Sequence, residues 1–167
     1  MPPSTEALLA RYDDAYRKSE RIEIGSARFE KGVSRGDDGA WGVGALVVQD
    51  GRGLLVREGD TWLLPGGRLE ADEAPEAGAR REVREETGLE VEITGLGAVA
   101  EQTFVRRGSS DSYEFTFVTF VATPAAPDAR APTTPPDPSI DEVAWLSEVP
   151  GNTFDSGLVD RLFDAYV

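Results

Sequence analysis

The chain has 167 residues, 40% of them apolar, which is enough for one domain with a core and well above the disordered range. Its formal net charge is −14, from 31 acidic and 17 basic residues, and no basic block stands ready to meet a nucleic-acid backbone. Cysteine and histidine are both absent, which excludes disulfides, thiolate nucleophiles, Cys/His zinc sites and histidine relays. In chain order, Ser4 to Ser19 reads as a helix, with Leu8, Tyr12 and Tyr16 spaced by four behind a Ser4 or Thr5 cap. Ile22 and Ile24 alternate with charge, and a second short helix is expected over Ser26 to Val33, with Phe29 and Val33 on one side. The turn-rich SRGDDG, Ser34 to Gly39, closes this part, so residues 1–40 are expected to form a helical extension before a main domain at 41–167. The extension either packs on the main domain or bridges two copies in a homodimer.

Two apolar runs, Gly42 to Val48 and Leu54 to Val56, flank a turn at Gln49 to Gly53 and read as a hairpin. TWLLPGG, Thr61 to Gly67, follows as a short strand ending in a glycine turn. A helix then starts near Pro75, a favoured first-turn residue, and stops at Gly88. LEVEITGLGAVAEQTF and YEFTFVTFVAT are two longer strands joined by the polar RRGSSDS. Tyr113, Phe115 and Phe117 alternate there as one strand face and are assigned to the core. Thr123 to Ser139 carries six of the eleven prolines and reads as an extended loop, a plain surface loop in preference to a lid. EVAWLSEV supplies a last strand, and SGLVDRLFDAY ends the chain as an amphipathic helix with Leu158, Leu162 and Phe163 inward. Strands interrupted by one central and one terminal helix make a mixed α/β (α+β) domain.

No apolar run approaches the ~18 residues that cross a bilayer, and the N-terminus lacks the pattern of a signal peptide. A soluble cytoplasmic protein with no membrane or nucleic-acid partner is expected. Only Lys18 and Lys31 are lysine, and so strong an acid surplus is a balance associated with halophiles.

Within REVREETG, Arg81 to Gly88, Glu82, Glu85 and Glu86 stand at i, i+3 and i+4, where like charges repel by roughly 0.2–0.5 kcal/mol per pair. At ~100° per residue they fall beside Ala79 and Val83, at the margin of a packed face where a carboxylate needs a compensating charge. Arg81 and Arg84 offer some. A cation would offer more, and oxygen-only ligands favour a hard one, Mg²⁺ or Mn²⁺, which completes its shell with water and substrate phosphates.

The segment GRLEADEAPEAGARREVREETGL, Gly67 to Leu89, resembles the Nudix box, G-x5-E-x7-R-E-U-x-E-E-x-G-U with U bulky and aliphatic. Every fixed position agrees: Gly67, Glu73, Arg81, Glu82, Val83, Glu85, Glu86, Gly88 and Leu89. A chance match has odds on the order of one in a million, far beyond ordinary short-motif risk. TWLLPGG and DEVAWLSEVP resemble Nudix flanks, whereas the first forty residues lie outside the likeness. The helix departs from common usage at Ala74, a poor cap, at Gly78, where alanine is usual, and at Arg80, which replaces an aliphatic residue.

The resemblance implies a Nudix fold, a mixed sheet between helices with the box as loop, helix and loop. It also implies hydrolysis of a nucleoside diphosphate linked to another moiety. On this reading Gly67 (through its carbonyl), Glu82, Glu85 and Glu86 hold Mg²⁺ or Mn²⁺, and Arg81 holds Glu85 or Glu73 in place. Glu82 is the first candidate for general base, with Asp137, Asp141, Glu142 and Glu101 as acids outside the box. Arg57, Arg68, Arg106 and Arg107 are candidates for substrate phosphate, set against the plainer role of solvated surface arginines. Trp62 is assigned to core packing beside the turn in preference to stacking on a base.

Phe104 to Arg107 occupy the region where ADP-ribose hydrolases of the family carry a proline and diadenosine polyphosphate hydrolases a tyrosine, so neither marker is present. The SQPWPFPxS signature of the NADH-cleaving group is absent as well. A nucleotide or nucleotide-sugar pyrophosphatase is the expectation. The rival is a non-catalytic Nudix domain that senses a nucleotide metabolite, and a Nudix-fold isomerase fits less well because cysteine is missing.

Overall fold

β-branched and aromatic residues recur through most of the chain from Tyr16 on, and the computed structural model, which describes residues 4–167, gathers them into eight strands with four helices. The elements are α1 (Thr5–Ala10), β1 (Tyr16–Ile24), α2 (Ser26–Ser34), β2 (Ala40–Gln49), β3 (Arg52–Glu58) and β4 (Thr61–Leu63). They continue as β5 (Gly66–Arg68), α3 (Pro75–Thr87), β6 (Val91–Arg106), β7 (Ser112–Pro124), β8 (Glu142–Leu146) and α4 (Ser156–Tyr166). The strand order is β1-β6-β7-β2-β3-β4, with β5 added to β2 and β8 to β3. Pairings β1/β6 and β2/β7 are parallel and the others antiparallel, so the sheet is mixed.

The period-two alternation of strands divides the core into two layers. On one side Val43, Ala45, Val47, Leu54 and Val56 pack with Ala79 and Val83 of α3. On the other, Leu46, Leu55 and Ala98 pack with Leu158, Val159, Leu162 and Phe163 of α4, so both terminal-helix and central-helix expectations hold. Full burial of each valine, leucine or phenylalanine among them contributes about 1.5–3 kcal/mol. The β2–β3 hairpin turns at Asp50 and Gly51, both at positive φ (51° and 73°), the pairing demanded by a two-residue turn.

The expected helix over Ser4 to Ser19 is corrected. Only Thr5–Ala10 is helical, capped by Ser4, whose Oγ accepts from the Ala7 N–H at 3.3 Å. Asp14 takes a left-handed φ of 61°, and Tyr16–Ile24 runs as a strand in register with Ala98–Arg106. The four-residue spacing of Leu8, Tyr12 and Tyr16 imitates a helical stripe, but an isolated helix that short is marginal and sheet pairing prevails. Residues 4–40 are thus helix, strand and helix. They pack on the body: Leu8 is 1% exposed in the α3-side core, the Tyr12 ring meets Phe120 edge-on at 5.9 Å, and Arg11 and the Tyr12 hydroxyl donate to Glu76 at 2.7 and 2.9 Å. Among the described residues no helix is long and apolar enough to cross a membrane.

Candidate active site

Helix α3 begins with Pro75 at its first turn and ends at Gly88, whose φ of 76° suits glycine. Ala74 makes no side-chain cap, as its identity demands. Gly78 has a steric reason that propensity hides: a Cβ there would lie 2.6 Å from Leu69 Cδ1 and 2.9 Å from Glu73 Oε1. The helix is drawn close to the loop before it, and that closeness sets the site.

Arg81 is the hub. Its Nε and Nη2 donate to the two oxygens of Glu73 at 2.7 and 2.9 Å, a bidentate fork. Nη1 donates to Glu82 Oε1 at 2.8 Å and Glu85 Oε2 at 3.2 Å, and Nη2 also reaches the Arg68 carbonyl at 3.1 Å. One guanidinium therefore orders three carboxylates and the backbone just after Gly67. Its hydrogen bonds to Glu73 hold the Glu73 carboxyl below the usual carboxylate range and keep Arg81 itself firmly charged.

Glu86 is 6% exposed and accepts the Gly66 N–H at 2.7 Å. Burial pushes its carboxyl up to about 8; the Gly66 bond opposes this, while the negative fields of Glu82, Glu58 and Asp137 add to it. Glu82 is raised as well, chiefly by burial and against the pull of Arg81. Its carboxylate lies so near Gly67 that a Cβ on that glycine would come within 2.6 Å of Oε2. Glu85 is the exposed member of the three, its side chain 51% accessible.

Among the described residues no three acidic side chains close into a ready cation cage, because Arg81 spans Glu82 and Glu85. The donor set nevertheless fits a hard divalent cation. All available donors are oxygens, and buried Glu86 feels the negative fields of Glu82, Glu58 and Asp137 while pairing with no cation among the described residues.

The remaining candidates are scattered. Arg57 donates to Glu142 at 3.2 Å and to the Gly59 carbonyl at 2.6 Å, with its guanidinium 5.9 Å from the centre of the Trp62 ring. Trp62 itself is half-buried against the α4-side core. Arg68 holds Asp37 and the Arg35 carbonyl beside the glycine turn. Arg106 goes elsewhere, to Glu30 and Ser26 at α2, and Arg107 pairs with Glu23. Of the acids outside the box, Glu101 is paired with Arg17, Glu142 with Arg57, and Asp141 accepts the Gly59 N–H at 2.7 Å. Asp137 accepts from Ser139 within its own turn, yet its charge is felt at Glu86. The proline-rich loop is tied down, since Gln49 and Ala129 exchange two hydrogen bonds of 2.9 Å.

Two features escaped the sequence. Glu58, at the end of β3, adds to the field on Glu86, and nothing in its local pattern marks it. Phe115 and Phe117 are half-buried and border a cavity of about 420 Å³ that opens beside Gly66 and Gly67, which corrects their assignment to the core. Tyr113 is buried, with Ile24 and Phe29 in a small separate cluster. A signal for the cavity did exist in WGVG: a Cβ on Gly42 would meet Phe117 at 2.5 Å, so glycine in mid-strand leaves room for that ring.

The NUDIX domain profile matches residues 40–149. A MutT-like protein of Streptomyces ambofaciens is 53% identical over 62 residues, which are 36% of this chain and 40% of that relative's length. Among solved structures, a NUDIX hydrolase from Nitrosomonas europaea superposes with a TM-score of 0.57 at 23% identity, over 75% of this chain and 70% of that one. A UDP-X diphosphatase gives 0.54 at 22% identity, over 75% and 61%. At these identities the structures share the fold, a mixed sheet flanked by helices.

Proposed function

The chain belongs to the NUDIX domain family, and from that premise we propose that it is a divalent-metal-dependent hydrolase. Its substrate is a nucleoside diphosphate linked to another moiety, cleaved at the phosphoanhydride. The observation that carries this reading is the hub of Arg81 with Glu73, Glu82 and Glu85, adjoining buried Glu86, on the glycine turn that also borders a cavity of about 420 Å³.

Glu82, Glu85 and Glu86, with the Gly67 carbonyl, are the groups that would hold Mg²⁺ or Mn²⁺. Bound there, such a cation would supply positive charge against the pyrophosphate and would make an attacking water more acidic. The chain's own residues prepare the ground. Arg81 fixes Glu82 and Glu85 against the helix, and the Gly66 N–H aims Glu86 at the turn. Glu82 is the first candidate for general base in this reading, and Arg81 holds it at Oε1. Asp137 is the acid outside the box that stays a competitor, through its field at Glu86.

Product analysis tests the proposal. The protein is incubated with a panel of nucleoside diphosphate derivatives, with and without Mg²⁺ or Mn²⁺, and phosphomonoester release is followed. Metal-dependent turnover lost in Glu86→Gln is the expected result. Tight binding without turnover across the panel would establish a nucleotide-sensing domain in its place. The net charge of −14 leads us to place the protein in a salt-rich cytosol, so the panel includes an arm in molar salt.

A further inference from the structure

Among the described residues two carboxylate side chains are buried, each on a residue 6% exposed: Glu86 and Asp37. Glu86 belongs to the carboxylate cluster of α3. Asp37 lies in the turn between α2 and β2, three residues before the family segment begins, and no role has been given to it so far. A buried charge is costly unless it is paired, so its partners say what it is for.

Asp37 has two. Its Oδ2 accepts from Arg35 Nε at 2.7 Å, and its Oδ1 accepts from Arg68 Nη2. Arg35 is next but one in sequence and would serve to neutralise the turn locally. Arg68 comes from β5, 31 residues on, and its Nη1 also donates to the Arg35 carbonyl at 2.9 Å. The turn therefore grips one guanidinium at two points. It is itself well fixed: Gly36 takes a φ of 80°, the Asp37 N–H donates to the Gly32 carbonyl at 3.0 Å, and the Gly39 N–H donates to Glu114 of β7 at 2.7 Å.

The strand so gripped has little to hold it from within. β5 is three residues long, Gly66–Arg68, and its two glycines lose the most backbone freedom on being ordered. Pairing with Gly42, Val43 and Gly44 of β2 supplies one restraint. Arg81 supplies another, since its Nη2 donates to the Arg68 carbonyl at 3.1 Å while its Nη1 holds Glu82 and Glu85. Arg68 thus joins the buried acid, by its side chain, to the arginine hub, by its carbonyl, and Gly67 stands immediately before it.

We propose that Asp37 is a positioning residue for the divalent cation: acting through Arg68, it fixes the glycine turn and with it the direction of the Gly67 carbonyl. The inference rests on the hydrolase reading for the presence of a cation at that turn. Partners that orient a metal ligand without touching the metal typically cost about 10–100-fold in affinity when removed.

Mn²⁺ binding without nucleotide tests this, with free Mn²⁺ read by electron paramagnetic resonance on the whole chain. Glu86→Gln gives the background from other acids. Asp37→Asn and Arg68→Gln should each weaken the site about tenfold or more, and the double variant should be no weaker than the worse single one, because both changes break the same link. Arg35→Gln keeps the carbonyl that Arg68 uses and should change affinity little. Charge alone gives a different pattern: loss of an acid weakens cation binding, whereas loss of the Arg68 cation strengthens it. Tighter or unchanged Mn²⁺ binding in Arg68→Gln would overturn the proposal, as would unchanged binding in a folded Asp37→Asn. Should Asp37→Asn fail to fold, Arg68→Gln decides, since that side chain is 42% accessible and its loss leaves the core intact. Wild-type protein that binds Mn²⁺ but releases no phosphomonoester sinks the hydrolase reading alone, and wild-type protein that takes up no Mn²⁺ sinks both.

Discussion

The carboxylate cluster on α3 and the cavity beside the glycine turn are built on opposite plans. At the carboxylate end, three glutamates crowd around one arginine within a single loop and helix, with Glu86 buried beside them, and charge is packed tightly enough to move proton affinities. At the cavity end, aromatic rings and spaced arginines come from five different elements, and the groups keep room between them. A reacting centre needs close, mutually ordered groups, which one helix turn supplies. Recognition needs a shaped hollow, which only distant segments can enclose.

Glu86→Gln should break the first end most severely. It removes a buried carboxylate while keeping the Gly66 contact, so kcat/KM should fall more than about 100-fold, beyond the roughly 10–100-fold expected from losing an outer partner. Asp111→Asn, in the remote turn between β6 and β7, should change kcat/KM little. Equal losses in the two variants would mean the helix is not the reacting centre.

Arg81→Lys comes next. Lysine cannot reproduce the fork on Glu73 and still reach Glu82, so kcat/KM should drop about 10–100-fold. The thermal midpoint should drop with it, because Glu73 and Glu82 are mostly shielded and would lose their shared partner. Full kcat/KM retained in Arg81→Lys would show that the fork does not order the reacting groups.

A smaller effect follows from proton affinity. Glu86 ordinarily titrates near 4.5 and in the fold near 8, so between these values the folded state binds more protons than the unfolded one. Stability from this group is full below about 4.5 and is lost as pH rises toward 8. In chelator-treated protein the thermal midpoint should therefore decline across that window more steeply in the wild type than in Glu86→Gln. Parallel curves would contradict the burial argument.

Salt should act most weakly and on the whole surface. Lowering ionic strength from about 1 M to about 0.01 M lengthens screening from roughly 3 to 30 Å. With 31 acids against 17 bases, self-repulsion should then lower the melting temperature. An unchanged melting temperature would remove the salt-rich cytosol from the account.

The same contrast governs what could be read in advance. The helix from Pro75 to Gly88, the hairpin around Asp50–Gly51 and the α4 stripe were legible because short-range period and turn chemistry decide them. The carboxylate set was legible because its members lie within one stretch of chain. Tyr16–Ile24 was not, since its partner lies some eighty residues away in β6 and the local pattern favoured a helix. Phe115 and Phe117 misled for a related reason. Alternation locates a strand face but not whether that face meets a packed layer or a hollow. Gly78 looked like a weakness and proved to be a contact, visible only once Leu69 and Glu73 were in place.

The parallel seam between β1 and β6 has a practical consequence. A chain trimmed to begin at residue 40, where the family profile starts, would strip nine residues from the flank of the longest strand. The bared amide and carbonyl row would be open to any passing strand, inviting clumping. The same cut would remove Leu8 from beneath α3 and free Glu76 of Arg11 and Tyr12. Shortened versions of this protein should keep the leading forty residues, or insolubility will be mistaken for inactivity.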